Sequence, residues 1–198
     1  DELFGPSGWS ARLSARTESA SDVSNLFGVC AGAAEGPDAN DRRKPPALPG
    51  HWVRAAFANR DWPRRPGLYS HDWRPPGEGN AWEIELSSEV LGESVTLAVG
   101  LEGALPEGIR FRIIDREQGS ETDLDPEFTS YRILSFGPGR AYRLTLLAGT
   151  ADFVERGART SLGVPARLAL DQNAPNPMRK ATRIRFGAPR SEPVTLEV

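Results

Sequence analysis

Apolar and polar residues alternate with period two through most of the chain. Over 81–86 the order Ala-Trp-Glu-Ile-Glu-Leu puts Trp82, Ile84 and Leu86 on one side and Glu83 and Glu85 on the other. That is the pattern of a strand with one buried face. It returns at Trp9/Ala11/Leu13, Val95/Leu97/Val99/Leu101, Ile109/Phe111/Ile113 and Tyr142/Leu144/Leu146, each run bounded by Gly, Pro, Asp or Ser. Short strands separated by turn signals, without a convincing amphipathic helix between them, predict an all-β chain built as an antiparallel β-sandwich, jelly-roll or immunoglobulin-like. One short helical turn is expected at Ser21 to Val29, where Ser21 or Asp22 would cap the first N–H groups.

Two tracts interrupt the alternation. Pro37 to Pro49 is too rich in proline to continue a helix or a central strand and is expected as an extended surface loop. Asp61 to Gly79 mixes prolines with Trp62, Tyr69, His71 and Trp73 and is expected as a loop ordered by its aromatics. After Phe153 the chain turns polar, so the predicted domains are a β-sandwich module over 1–155, a linker over 156–165 and a second strand-rich unit over 166–198. About 33 residues are too few to bury a core alone. If the chain ends at Val198, the tail is expected to dock on the sandwich or add a strand to a neighbouring subunit, giving self-association.

The tail holds the most specific motif, Leu168-Ala169-Leu170-Asp171-Gln172-Asn173-Ala174-Pro175-Asn176-Pro177-Met178, followed by Thr182, Ile184 and Phe186. Asn173 and Asn176 can close side-chain-to-backbone turns and Pro175 and Pro177 stiffen the corner, so a fixed bend should precede a strand at Arg183 to Phe186. With Gln172, these residues resemble the start of the C-terminal sorting domain of proteins exported by the bacterial type IX secretion system. They also resemble the immunoglobulin-like domain of flagellar hook-capping proteins. Met178 stands where that family usually has Phe, and the later strands of the family pattern are absent. The resemblance covers 166–198 only. It implies the start of a second immunoglobulin-like sandwich, contact with secretion machinery, and a location outside the cell or on the outer surface of a Gram-negative-type bacterium. Asp22-x-x-Asn25-x-Phe27-Gly28 with Pro45-Pro46 further resembles a β-rich module placed upstream of such domains, which supplies an address and no chemistry.

Composition narrows the partners. Net charge is -3 and no apolar run reaches membrane-helix length, so neither nucleic acid binding nor membrane insertion is expected. The first residues lack a signal peptide's basic and apolar regions, so an exported protein would already have lost its signal. Among 24 cationic residues only Lys44 and Lys180 are lysines. A lone Cys30 excludes a disulfide within the chain and cysteine-based metal sites, and His51 and His71 are too few for a histidine-based metal centre without carboxylates.

Candidate chemistry is sparse. Asp38, Asn40 and Asp41 open like a calcium loop, but Arg42 and Arg43 follow where ligand oxygen and glycine are required. Asp123, Asp125 and Glu127 alternate and could present three oxygens to Ca2+, against the plainer reading of a polar loop. Ser70, His71 and Asp72 are adjacent in extended chain and point to opposite faces, so they do not form a nucleophile-base chain. Trp62, Tyr69 and Trp73 are the candidate ligand-facing aromatics, for a glycan; Trp82 and Trp52 are expected in the core. The expected function is a non-catalytic structural or adhesive module of a secreted or surface-attached bacterial protein. A carbohydrate-binding module of a secreted hydrolase is the alternative. No cofactor is expected and no enzyme activity.

Overall fold

The computed structural model describes residues 8–47, 49–126 and 129–163, together with 169–170, 186–187 and 195. The chain is built mostly of β-strands, as the alternation predicts. The strands are β1 (Trp9–Arg16), β2 (Ser21–Val29), β3 (Arg42–Arg43), β4 (Val53–Asn59), β5 (Gly67–Arg74), β6 (Gly79–Ser88), β7 (Leu91–Leu101), β8 (Arg110–Asp115), β9 (Ser120–Leu124), β10 (Ser130–Phe136) and β11 (Tyr142–Gly149). One helix, α1 (Ala151–Ser161), follows β11.

Ten strands join one hydrogen-bonded path in the order β10-β7-β1-β2-β5-β4-β6-β11-β8-β9, with β3 paired to β5 beside it. The two ends of the path, β9 and β10, come into contact, so the sheet is nearly closed into a barrel rather than split into two layers. It is also mixed: β2 runs parallel to β5, with Leu26 beside His71 and Gly28 beside Trp73, and the other pairs are antiparallel. The parallel pair is possible because residues 30–66, with β3 and β4 among them, supply the long connection that a tight turn cannot.

The inward alternate positions fill the enclosure. Trp9, Phe27, Trp82 and Phe111 meet there edge-on, with Trp9 and Phe111 rings 5.3 Å apart and Phe27 and Trp82 5.1 Å apart, and Phe57 lies tilted against Phe27. Such aromatic contacts add about 0.5–1.5 kcal/mol each beyond the area they bury. In β1 and β7 the outer row alternates with the inward one and is half-buried or exposed.

Three sequence expectations change here. Ser21 to Val29 is the strand β2, not a helical turn, because Asn25, Phe27 and Val29 point inward with period two. The Asp22 carboxylate does accept the Ser24 N–H, at 3.4 Å, but this local bond serves an extended segment as readily as a helix start. The 61–79 tract is not loop throughout: the proline-free stretch 67–74 is β5. Residues 156–161, expected in a linker, are the second half of α1, capped by Thr150, whose hydroxyl accepts the Phe153 N–H at 3.3 Å. Val154 and Ala158, four residues apart, bury one stripe of α1 against Ile114 and Leu147. In the tail, Ala169–Leu170 pairs antiparallel with Phe186–Gly187. Gln172, Asn173, Pro175, Asn176 and Pro177 lie outside the described residues.

Candidate functional site

Buried charge in this fold is concentrated where loops meet strands. Asp22, at the start of β2, and Lys44, just after β3, form an ion pair with Nζ 2.5 Å from Oδ2 and side chains only 8% and 6% exposed. Lys44 also donates to Asn25 Oδ1 at 2.6 Å, and Asn25 Nδ2 donates to the Leu13 carbonyl at the irregularity between β1 and β2. The Ala55 N–H of β4 completes the Asp22 carboxylate at 2.9 Å. Burial raises the Asp22 carboxyl, but Lys44 and the Ala55 N–H outweigh it and hold it below the usual carboxylate range. Burial lowers the Lys44 ammonium, and Asp22 opposes that only in part. The pair therefore ties β2, β4 and the 31–50 segment together where the β2–β5–β4 ladder opens.

A cleft of about 420 Å³ lies over this pair. Its lining comes from three stretches of chain: Ala20, Ser21 and Ser24; Pro45 and Pro46; and His51, Trp52 and Arg54. Trp52, expected in the core, is half-buried in this lining. Arg54 donates from Nη2 to the Lys44 carbonyl at 3.4 Å, while its buried Nε has no hydrogen-bond partner among the described residues. His51 Nδ1 stands 3.2 Å from Glu89 Oε2 at the rim. The size lies within the range of about 300–1,000 Å³ typical of small-molecule sites.

Two further carboxylates are fully buried. Asp72 is paired with Arg74, Nε to Oδ1 at 2.7 Å, and accepts from Asn59 Nδ2 at 2.6 Å. Burial pushes its carboxyl up against the pull of Arg74. Next to it, Asp41 accepts the N–H groups of Trp73 and Asp38, and burial pushes its carboxyl up to about 6. Asp38 in turn accepts from Ala34 and Asn40, so the stretch that opens like a calcium loop is a hydrogen-bonded turn folded on itself. Asp115 takes five hydrogen bonds, from the N–H groups of Glu117 and Gln118, Gln118 Nε2, Tyr131 and Tyr142.

The residues singled out from sequence fall in different places. Trp62 and Tyr69 are buried at 8% and 2% exposure, with rings 4.8 Å apart and Arg74 over the Trp62 face at 5.3 Å. These two rings pack inward rather than forming a platform for a ligand. Trp73 is half-exposed on the outer face, in the row above His71 and beside Gly28. The structure thus separates Trp73 from Trp62 and Tyr69. Asp123 is engaged by Arg112 at 2.5 Å, and Arg112 also reaches Glu121 and Glu155 of α1. Asp125 lies one residue beyond β9 and Glu127 is outside the described residues, among which no group of His, Cys, Asp and Glu could hold a metal ion.

Sequence reasoning missed the cleft because its members are scattered over 20–54, and the pattern that holds Asp22 and Pro45-Pro46 carries no chemistry of its own. One signal was on the page: Lys44 is one of two lysines in an arginine-rich chain. A narrow slot between two carbonyl-type oxygens suits a compact ammonium and not a planar guanidinium. No family model, curated protein or solved structure matches this chain.

Proposed function

We propose that this chain is a non-catalytic structural or adhesive module of a secreted or surface-attached bacterial protein. The observation that carries the reading is the use of its buried charges: Asp22, Asp72 and Asp115 each collect several donors that pin loops and strand ends to the sheet. Carboxylates saturated in this way stiffen a scaffold and are poor proton carriers. On this reading the nearly closed β shell is the structural module, and 166–198 begins a second immunoglobulin-like unit that addresses the protein for export. Cell fractionation tests it. The chain is expected in the extracellular or outer-surface fraction, and confinement to the cytoplasm overturns the proposal.

A second reading, a carbohydrate-binding module of a secreted hydrolase, is favoured by the cleft. Trp52 and the Pro45–Pro46 wall offer flat apolar surface, and Ser21, Ser24 and Arg54 offer hydrogen-bonding groups at its edge. Flat apolar faces ringed by a few polar groups are the usual make-up of a site for a partly hydrophilic ring. Binding to a glycan array is the expected result, and an array with no signal removes this reading.

A further inference from the structure

Arg54 is the one cation lining the cleft that no carboxylate engages in an ion pair among the described residues. Lys44 and Asp22 neutralise each other on the floor. His51 faces Glu89 at the rim. Among the described residues Arg54 touches no carboxylate: its charge acts on Glu85 only at a distance, and Glu85 is gripped by Arg60 through two hydrogen bonds at 2.7 and 2.6 Å. Two donors at the cleft also lack acceptors among the described residues: Arg54 Nε, and the third proton of the Lys44 ammonium, whose other two go to Asp22 and Asn25. The surroundings of these donors are apolar on the proline side, so little competes for an incoming anion there.

We infer that the cleft selects acidic sugars, with a uronate carboxylate docking on Arg54 and the free Lys44 proton while its ring lies against Trp52 and the Pro45–Pro46 wall. The inference rests on the carbohydrate-binding reading and names the class of sugar. A sugar suits the site better than an acidic peptide. An extended peptide gains affinity from main-chain partners, and prolines lack the N–H that such pairing uses. A pyranose ring needs only a flat face and hydrogen-bonding groups at its edge. A carboxylate also matches the planar guanidinium fork of Arg54. Burial lowers the Lys44 ammonium, and an added anion beside it would oppose that shift.

Isothermal titration of the whole chain with trigalacturonate and with its methyl ester tests the inference, since the ester keeps the rings and removes the charge. The acid is expected to bind at least about ten-fold more tightly than the ester, about 1.4 kcal/mol, and to weaken as NaCl is added. Arg54→Gln should abolish that preference. Arg54 is half-exposed and outside the core, and an unchanged circular dichroism spectrum confirms that the variant folds. Equal binding of acid and ester overturns the selectivity and leaves the carbohydrate reading standing. Binding of triglutamate in place of either sugar overturns the inference in favour of a peptide. Failure to bind these and a panel of neutral cello-, xylo- and mannotriose overturns the inference and the carbohydrate reading together.

Discussion

The Lys44 ammonium lies 2.5 Å from the Asp22 carboxylate inside the opening between β2 and β4, and almost none of either side chain reaches solvent. Desolvation works against both charges, so the pair holds only while both are present. Lys44→Met strands the Asp22 carboxylate in a site built for a cation. We expect it to lose about 3–5 kcal/mol of stability in urea unfolding. Lys44→Arg should also destabilise, because the guanidinium overfills the slot between Asp22 and Asn25, and a variant as stable as the parent would show the slot to be loose.

Asp41 is a carboxyl whose pKa is raised in the fold, and the sign of its pH effect is opposite to the common one. Its folded value of about 6 exceeds the unfolded value of 3.8. Between those values the native state holds the proton more tightly, so stability falls as pH rises through that window. The Asp41 contribution, read as the stability of the parent minus that of Asp41→Asn, should therefore fall from pH 4 to pH 7. Denaturation of both proteins in urea at each pH reads that difference. A carbon-13 titration of the Asp41 carboxyl with a midpoint near 4 would sink the assignment.

Gly28 is where β1, β2 and Trp73 approach most closely. A Cβ there would stand 2.1 Å from the Trp9 carbonyl oxygen and 3.1 Å from Trp73 Cζ3. Backbone cannot retreat as a side chain can, so Gly28→Ala must part the β1–β2 ladder beside Trp9. A loss of about 2 kcal/mol or more is expected, with faster amide exchange in β1 as the local sign.

How far the sequence spoke depended on whether local pattern and tertiary contact agreed. Trp82, Ile84 and Leu86 alternate and are buried at 0%, 1% and 1% exposure, so β6 was readable from six residues. β5 was hidden because its alternation breaks at Ser70: the pairings Arg42 to His71 and Arg43 to Tyr69 skip one residue, so Tyr69 and Asp72 both point inward. A bulge of this kind erases the period-two signal that the reading relies on. Helix α1 was missed because Val154 and Ala158 are its only fully buried positions, although Thr150 as cap, Asp152 in the first turn and Arg159 in the last were all present. The parallel pairing of β2 with β5 had no local signature at all, since it depends on a connection of some forty residues.

The aromatics show the same limit at the site. Trp62, Tyr69 and Trp73 sit in one tract, yet the bulge at Ser70 sends Tyr69 inward with Trp62 and Trp73 outward. Lys44 was noticed for its rarity, but its role needed Asp22 and Asn25, some twenty residues away, to be brought beside it.

Asp115 closes the far side of the barrel, and its removal should have a local and a spectroscopic consequence. Its Oδ1 accepts the N–H groups of Glu117 and Gln118, which shape the β8–β9 turn. Its Oδ2 accepts the hydroxyls of Tyr131 in β10 and Tyr142 in β11, at 2.7 and 2.6 Å. Strand β10 is laddered on one side only, to β7, so the Tyr131 hydroxyl is a tie across the seam. Asp115→Asn swaps one acceptor oxygen for an NH2 group that cannot accept, stranding at least one buried donor. A loss of about 1–3 kcal/mol is expected, with amide protection falling first over Ser130–Phe136. Burial, and next the hydrogen bond to Asp115, push the Tyr142 hydroxyl up to about 12. Because the folded value lies above the unfolded value of 10.0, the native state keeps this proton between the two and stability falls as pH rises through that range. Absorbance at the tyrosinate band should show Tyr142 ionising at lower pH in Asp115→Asn than in the parent, though still above 10 because burial remains. An unchanged tyrosinate curve together with unchanged exchange in β10 would mean that the carboxylate is not what holds the seam.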